Sequence, residues 1–338
     1  MKARAPYLTP GRLAATTAAL AGILLVSLVA ATLLGPVRVS LWRALAPGAA
    51  ASPDYVILFR TRLPRVLLAA VVGGSLGGAG AALQGLLGNP LACPHLLGIS
   101  GGAAVAGVIA LVAGADPVSP IVPLAAFLGA LGAIAVVSLG ARAGGRTTPH
   151  AVLLVGVVFN ALAAAALMLV NALASYTQAQ GVLFWIMGSL SAQSYGLVAG
   201  AASYAVAGLG WLMLHAKNLN LLAAGEEAAQ QLGVEVEKTR RAVFLASSLL
   251  VGAAVSVSGM IGFVGLIVPH LLRLLLGADH RLLLPASFLG GAVFLVWADT
   301  LARTALAPVE LPVGVITALT GGPFFIYLLR RSLRRATA

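Results

Sequence analysis

Residues 64–83 read PRVLLAAVVGGSLGGAGAAL, a stretch of twenty residues in which Arg65 is the only charged side chain. Twenty residues in a helix cover roughly 30 Å, which is the thickness of the hydrocarbon layer of a bilayer. Similar runs recur along the 338 residues, of which 60% are hydrophobic and 9% charged. Because a soluble domain has about a quarter of its residues charged, we predict an all-α, polytopic membrane protein.

The apolar runs predict about ten membrane spans. They lie near residues 13–34, 64–83, 96–113, 118–140, 151–174, 193–214, 241–260, 263–277, 283–302 and 312–330. The first is interpreted as a retained span rather than a signal peptide because its apolar run is too long for one. The eighth covers only roughly 22 Å as a helix and contains Pro269, so we expect a partial span beside a substrate path.

The basic residues predict the orientation of the chain. Both termini are basic, and placing both in the cytoplasm leaves most loop Lys and Arg on the inside, as the positive-inside rule requires. Orientation therefore explains the net charge of +12 better than nucleic-acid binding does. The segment at about 219–240 then lies in the cytoplasm, with four of the chain's nine acidic residues: Glu226, Glu227, Glu235 and Glu237.

A tetrapeptide hints at internal duplication. Pro94-His95-Leu96-Leu97 recurs as Pro269-His270-Leu271-Leu272, and a glycine-rich stretch precedes both copies. The intervening spans are odd in number, so the two halves would have opposite orientations, as in many transporters with inverted repeats. The alternative is that Pro and Leu are simply common in membrane proteins.

The acidic segment has two interpretations. Glu226 and Glu227 open a short amphipathic stretch that Gly233 would end, since glycine readily adopts the left-handed conformation after a helix. The segment is either a solvated loop that its acids keep out of the bilayer or a compact docking surface.

Several motifs resemble one protein family. Glu227-Ala228-Ala229-x3-Gly233 resembles the cytoplasmic coupling loop of ABC importer permeases. Further matches are RLPR at 62–65, QGLLGNPL at 84–91, LLGISGGA at 96–103, FWIMGSL at 184–190, GFVGLIVPH at 262–270, ADTLAR at 298–303 and ELPVGVITA at 310–318. From about residue 55 onward the chain is thus similar to FecCD-type permeases, which import vitamin B12, haem and ferric siderophores.

The resemblance implies a single transmembrane permease domain over residues 1–338, with two inverted repeats and the cobalamin-permease-like fold of type II ABC importers. It implies a homodimer or close heterodimer, two ATP-binding subunits and a periplasmic or extracellular substrate-binding protein, in the bacterial inner membrane. The chain itself would have no catalytic residue, metal or cofactor, since the ATPase binds ATP and Mg²⁺. In agreement, the sequence contains no G-x-x-x-x-G-K-[ST] phosphate loop.

The resemblance also implies roles for individual residues. ATPase coupling is assigned to Glu226, Glu227, Ala228, Ala229 and Gly233; binding-protein docking to Arg62, Arg65 and Arg303; the cytoplasmic gate to Asn89, Leu91, Pro149 and His150; the outer vestibule to Phe184, Trp185 and Met187.

Alternatives remain for several of these positions. The outer arginines could contact lipid headgroups, and Arg303 could pair with Asp299 four residues earlier. Aromatic residues near an interface often anchor a protein in lipid. His95 and His270 each follow a proline at a predicted helix start, which favours a structural role for them over iron or haem binding.

Two rival functions differ in class. An ion-coupled secondary transporter would also have inverted repeats, but it needs an intramembrane acid for the coupling ion, and Asp299 is the single candidate within a span. An intramembrane enzyme would need a catalytic motif, and the sequence has neither H-E-x-x-H nor G-x-S-x-G. The motif N-P-L-x-x-P-x-L-L-G favours the vitamin B12 and haem branches slightly over catecholate siderophores.

Overall fold

The computed structural model describes residues 8–46, 48, 50, 52–116, 119–143, 146–147, 149–190 and 194–336. Within these ranges the chain is helical apart from turns and one antiparallel pair of two-residue strands, β1 Arg142–Ala143 and β2 Arg146–Thr147. The helices are α1 Pro10–Leu33, α2 Leu41–Ala44, α3 Pro53–Tyr55, α4 Leu63–Leu86, α5 Ile99–Val112, α6 Ile121–Gly140, α7 Pro149–Leu173, α8 Tyr176–Met187, α9 Tyr195–Leu214, α10 Ala216–Leu222, α11 Glu226–Gln231, α12 Val236–Ser258, α13 Val264–Leu276, α14 His280–Thr304 and α15 Val313–Ala336, with a π-helix, Val56–Arg62, joining α3 to α4.

The helix lengths agree with the predicted spans. Among the described residues, seven helical stretches are long and apolar enough to cross a membrane, and three shorter apolar ones are Ile99–Val112, Val264–Leu276 and Val313–Tyr327. Together they account for the ten predicted apolar segments. The predicted shortness of the eighth segment is confirmed, because α13 has 13 residues and rises only about 20 Å; its role as a partial span remains a prediction.

Helix α4 is the centre of the bundle, with 83% of its most apolar window buried. It packs against α9, α12, α13 and α14. A Cβ on Gly73 would meet the backbone of Gly291 in α14, and one on Gly80 would meet the carbonyl of Gly265 in α13. Glycine is therefore required where these backbones touch, which is the use of small residues expected for membrane helices.

The outer helices present apolar side chains to their surroundings. Only 6% of the α1 window and 22% of the α7 window are buried. Leu25 of α1 and Leu173 of α7 are 63% and 78% exposed. Surfaces of this kind are stable next to lipid chains and unstable next to water.

The bundle has two ends, which we name by a residue or helix at each. The C-terminal end of α4 and the N-terminal ends of α12 and α14 lie beside α10 and α11, at the α11 end. The N-terminal end of α4 and the C-terminal ends of α1 and α14 meet around Arg65, at the Arg65 end. Helices α4 and α12 therefore run in opposite directions.

The repeated tetrapeptide does not mark equivalent backbone positions. Pro94–Leu97 lies in the turn before α5, whereas Pro269–Leu272 lies inside α13. The similarity between the halves is one of element order, since α4 and α12 are each long helices followed by a turn and a shorter apolar helix.

Candidate coupling, docking and gating sites

The acidic segment forms a compact projection at the α11 end. Helix α10 is followed by Gly225 with φ +123°, α11, and Gly233 with φ +83°. The N–H of Gly233 donates to the carbonyl of Gln230 at 2.9 Å and that of Val234 to the carbonyl of Ala229 at 3.0 Å. These bonds close the C-terminus of α11 as a left-handed cap.

The projection has an inner and an outer face. Ala229 is fully buried and Val234 is 7% exposed, so both anchor α11 to the bundle. Glu227 and Ala228 are exposed, and Leu232 is 66% exposed beside them. The exposure of Leu232 was not predicted, because an isolated leucine in a mixed segment has no periodic signal.

Arg240 in α12 holds two of the four acids. Its Nη2 lies 2.5 Å from Oε1 of Glu226 and its Nη1 contacts Glu237, while only 10% of its side chain is exposed. Glu235 instead pairs with Lys238 at 2.6 Å on the surface. The cluster therefore has a structural explanation in part, because a buried arginine needs carboxylate partners. Arg240 was not identified from the sequence.

A buried charge network occupies the Arg65 end. The carboxylate of Asp299 is fully buried between Arg65 and Arg303, each of which places a guanidinium nitrogen 3.0 Å from it. Arg65 also lies 2.7 Å from Glu310, whose side chain is 47% exposed. The suggested pairing of Arg303 with Asp299 is confirmed. Since two cations already hold Asp299, this carboxylate provides no open site for a coupling ion.

Arg62 lies inside the protein for a different reason. Its guanidinium donates to the carbonyl of Leu33, the last residue of α1, at 2.9 Å and to that of Val37, four residues further on, at 2.5 Å. The last carbonyls of a helix lack intrahelical donors, so a cation there satisfies them. The docking roles of Arg62, Arg65 and Arg303 remain predictions, and all three side chains are turned inward here.

The predicted gate residues lie in turns at the α11 end. Oδ1 of Asn89 accepts from the N–H of Leu91 at 2.9 Å, the usual way in which asparagine stabilises a turn. Leu91 is partly exposed, and His150 is exposed in the first turn of α7, after Pro149. No described contact joins the two segments, and their gating role remains a prediction.

The predicted vestibule residues lie on α8, a helix that the sequence analysis treated only as a short segment. The ring of Trp185 packs over Gly107 of α5, where an added Cβ would lie 2.6 Å from the ring. Met187 is 38% exposed, while the side chain of Phe184 lies outside the described set. Trp185 therefore holds α8 against α5.

The two histidines of the tetrapeptides, His95 and His270, lie in different surroundings, one in the turn before α5 and the other inside α13. In the part of the chain that the structure describes, no three His, Cys, Asp or Glu side chains are grouped in a way that could hold a metal ion. The backbone carbonyl of His95 instead accepts a hydrogen bond from Asn160 of α7.

The profile of the FecCD transport family matches residues 23–331. The chain belongs to the FecCD transport family. It is a permease subunit of an ABC importer and a multi-pass membrane protein.

Relatives in this family have different named cargoes. The chain is 42% identical over 278 residues to the hemin transport system permease HmuU of Yersinia pestis, covering 81% of this chain and 83% of the relative. It is 44% identical to the cobalamin import permease BtuC of Halobacterium salinarum, with 81% and 73% covered. It is 38% identical to the Fe(3+)-citrate import permease YfmD of Bacillus subtilis, with 83% of each covered.

A solved structure has the same fold. It is described as an inward-facing conformation of a metal-chelate type ABC transporter, with a TM-score of 0.81 at 31% identity. The alignment covers 94% of this chain and 99% of that one. The predicted all-α fold of a type II importer permease is thus confirmed.

Proposed function

We propose that this chain forms the membrane path of an importer that moves a metal chelate, such as haem, cobalamin or a ferric siderophore, from the periplasm into the cytoplasm. The observation that carries this proposal is the α10–α11 projection. It offers exposed Glu227, Ala228 and Leu232 at its tip, while its base is bonded to α12 and α14. A projection bonded at its base to two helices suits the transfer of movement from a partner to the bundle.

The energy would come from two ATP-binding subunits that contact the projection and bind ATP and Mg²⁺. This assignment is supported by the absence of a phosphate loop from the sequence. A second permease copy would complete the path, most simply as a homodimer. The exposed apolar side chains of α7 and α15, such as Leu169 and Leu319 at 60% and 67% exposure, suit contact with that copy or with lipid.

We place the protein in the inner membrane, with the α11 end facing the cytoplasm. Both termini then also lie in the cytoplasm. The basic residues near the ends of the chain support this orientation through the positive-inside rule.

The substrate path would be apolar and small-polar in character, with Asn89, Leu91, Pro149 and His150 at its cytoplasmic end. Met187 and its neighbours Phe184 and Trp185 would lie nearer the outer opening. A wall with few charges suits a bulky chelate, because a cargo must leave as readily as it enters.

The outer substrate-binding protein would dock at the Arg65 end through acidic residues. In the structure Glu310 already neutralises Arg65, and it is the half-exposed member of the network. Substituting Glu310→Gln removes this internal acid. We expect the affinity for the binding protein to rise by about fivefold, the value of one ion pair.

The affinity is measured by titrating purified binding protein against the permease in nanodiscs at two salt concentrations. Asp54→Asn serves as the control, since Asp54 pairs with the 76% exposed Arg43 rather than with the network. If the affinity of Glu310→Gln for the binding protein is unchanged, Arg65 does not take part in docking.

Transport in vesicles tests the function as a whole. Proteoliposomes with the permease alone should accumulate none of haemin, cobalamin or ferric siderophore, whereas addition of the ATPase, ATP and binding protein should start uptake of one of them. A secondary transporter would accumulate cargo without the ATPase under an imposed proton or sodium gradient. Uptake by the permease alone would refute the proposal.

A further inference from the structure

A single amide joins the projection to the beginning of α14. Oδ1 of Asn220, in α10, accepts from the backbone N–H of His280 at 2.7 Å and lies 2.8 Å from Nδ1 of the same residue. Its Nδ2 donates to Oδ1 of Asp279 at 2.8 Å. The carbonyl and the amino group of this side chain are therefore both engaged.

The orientation of the Asn220 amide is determined by charge. Asp279 is ionised at neutral pH, because hydrogen bonds from Arg281 lower its pKa to about 2. Partial burial acts against this shift, and the hydrogen bond from Asn220 adds to it. An ionised carboxylate accepts only, so the NH₂ group of Asn220 must face it. The carbonyl oxygen of Asn220 is thereby turned towards His280. A carboxylate in place of this amide would have no NH₂ group to donate to Asp279 and would repel it.

His280 continues the connection to α4. The residue is 1% exposed, and its ring lies against Gly85, where an added Cβ would overlap Nε2 and approach Cδ2 to 2.8 Å. Since the carbonyl oxygen of Asn220 can only accept, Nδ1 of His280 is the donor of this hydrogen bond, and Nε2 faces Gly85. Gly85 lies in the last turn of α4, four residues before Asn89 of the predicted gate.

We propose that Asn220 and His280 form a positioning pair that transmits movement of the α10–α11 projection to α14 and to the gate end of α4. The proposal rests on the proposed coupling function and adds the residues that carry it. Helix α10 has a second link, from Nδ2 of Asn218 to Oγ1 of Thr239 in α12 at 3.1 Å. That link leads to a different helix and provides a matched comparison.

The test uses Asn220→Asp in the complete complex, reconstituted in vesicles. The variant keeps the side-chain shape but places a carboxylate opposite Asp279. We expect ATP hydrolysis to continue while cargo transported per ATP falls about tenfold, as for the loss of a buried hydrogen bond to a charged group. Uptake and phosphate release are measured on the same vesicles, and folded protein is quantified by size exclusion.

Two further variants separate positioning from general stability. Asn218→Asp changes the same residue type on the same helix, but its partner hydroxyl can donate to a carboxylate, so transport per ATP should stay near the wild-type value. Asp279→Asn introduced into Asn220→Asp exchanges the amide and the carboxylate between the two positions. This double variant should recover most of the lost coupling.

The outcomes distinguish the two proposals. If wild-type uptake does not require the ATPase, the proposed function fails and the positioning pair fails with it. If wild-type uptake requires ATP but Asn220→Asp transports as much cargo per ATP, only the positioning role is refuted. It is equally refuted if uptake and hydrolysis fall together in proportion to folded protein, or if the double variant shows no recovery.

Discussion

Substituting Asp299→Ala should largely prevent the permease from accumulating in a folded form. The substitution would leave Arg65 and Arg303, 8% and 3% exposed, without the carboxylate that lies 3.0 Å from each. Removing one partner from a buried ion pair costs about 3–5 kcal/mol, because the remaining charge is left uncompensated. Among the described ion pairs, Glu310 contacts Arg65, whereas the carboxylate in contact with Arg303 is that of Asp299.

The effect is measured as the temperature at which detergent-solubilised protein loses its monodisperse size-exclusion peak. For Asp299→Ala we expect that temperature to fall by about 10 °C or more. Asp299→Asn retains the shape and some hydrogen bonding, so its transition temperature should lie between those of the wild type and Asp299→Ala. Glu235→Ala is the control, because it breaks a surface pair with Lys238 whose side chains are 66% and 76% exposed and which is worth about 1 kcal/mol at most. A stable Asp299→Ala protein would show that the network does not hold the Arg65 end together.

Substituting Gly233→Pro should separate ATP hydrolysis from transport while the permease remains in the membrane. Gly233 has φ +83° and proline is confined to φ near −65°. Proline also lacks the N–H that Gly233 donates to Gln230 at 2.9 Å. The end of α11 would therefore rearrange and displace Leu232 and Glu227. We expect the affinity for the ATPase to fall about 30-fold or more, as when an interface loses a central contact.

Gly114→Pro is a closely matched control. Gly114 follows the C-cap of α5 with φ +97° and donates its N–H to the carbonyl of Leu111 at 3.0 Å, so its local geometry resembles that of Gly233. An added Cβ would meet nothing within 4 Å at either glycine, and thus backbone conformation alone is tested. Because Gly114 lies at the opposite end of α5 from the predicted gate, ATPase binding should persist. Normal uptake by Gly233→Pro, or equal loss in both variants, would contradict the coupling role of α11.

The position of the projection could be predicted from the sequence, but its side-chain contacts could not. The position of α11 and its glycine cap were predicted, because both depend on residues that are neighbours in the chain. That Glu226, whose side chain is 47% exposed, pairs with the buried Arg240 while Leu232 is left exposed was not predicted. Those orientations depend on how α11 rests on α12, and a six-residue helix is too short to show a hydrophobic period.

The sequence by itself determined the membrane class, the ten apolar segments, the short α13 and the family, because segment length, hydropathy and ordered motifs are properties of the chain. The tertiary structure alone decided which side chains meet. Arg65 and Asp299 are separated by 234 residues, and Asn220 and His280 by 60. Their contact depends on how closely α4, α10 and α14 approach each other. Glycines set that distance, and the spacing of residues along the chain does not show which residue of the facing helix each glycine contacts.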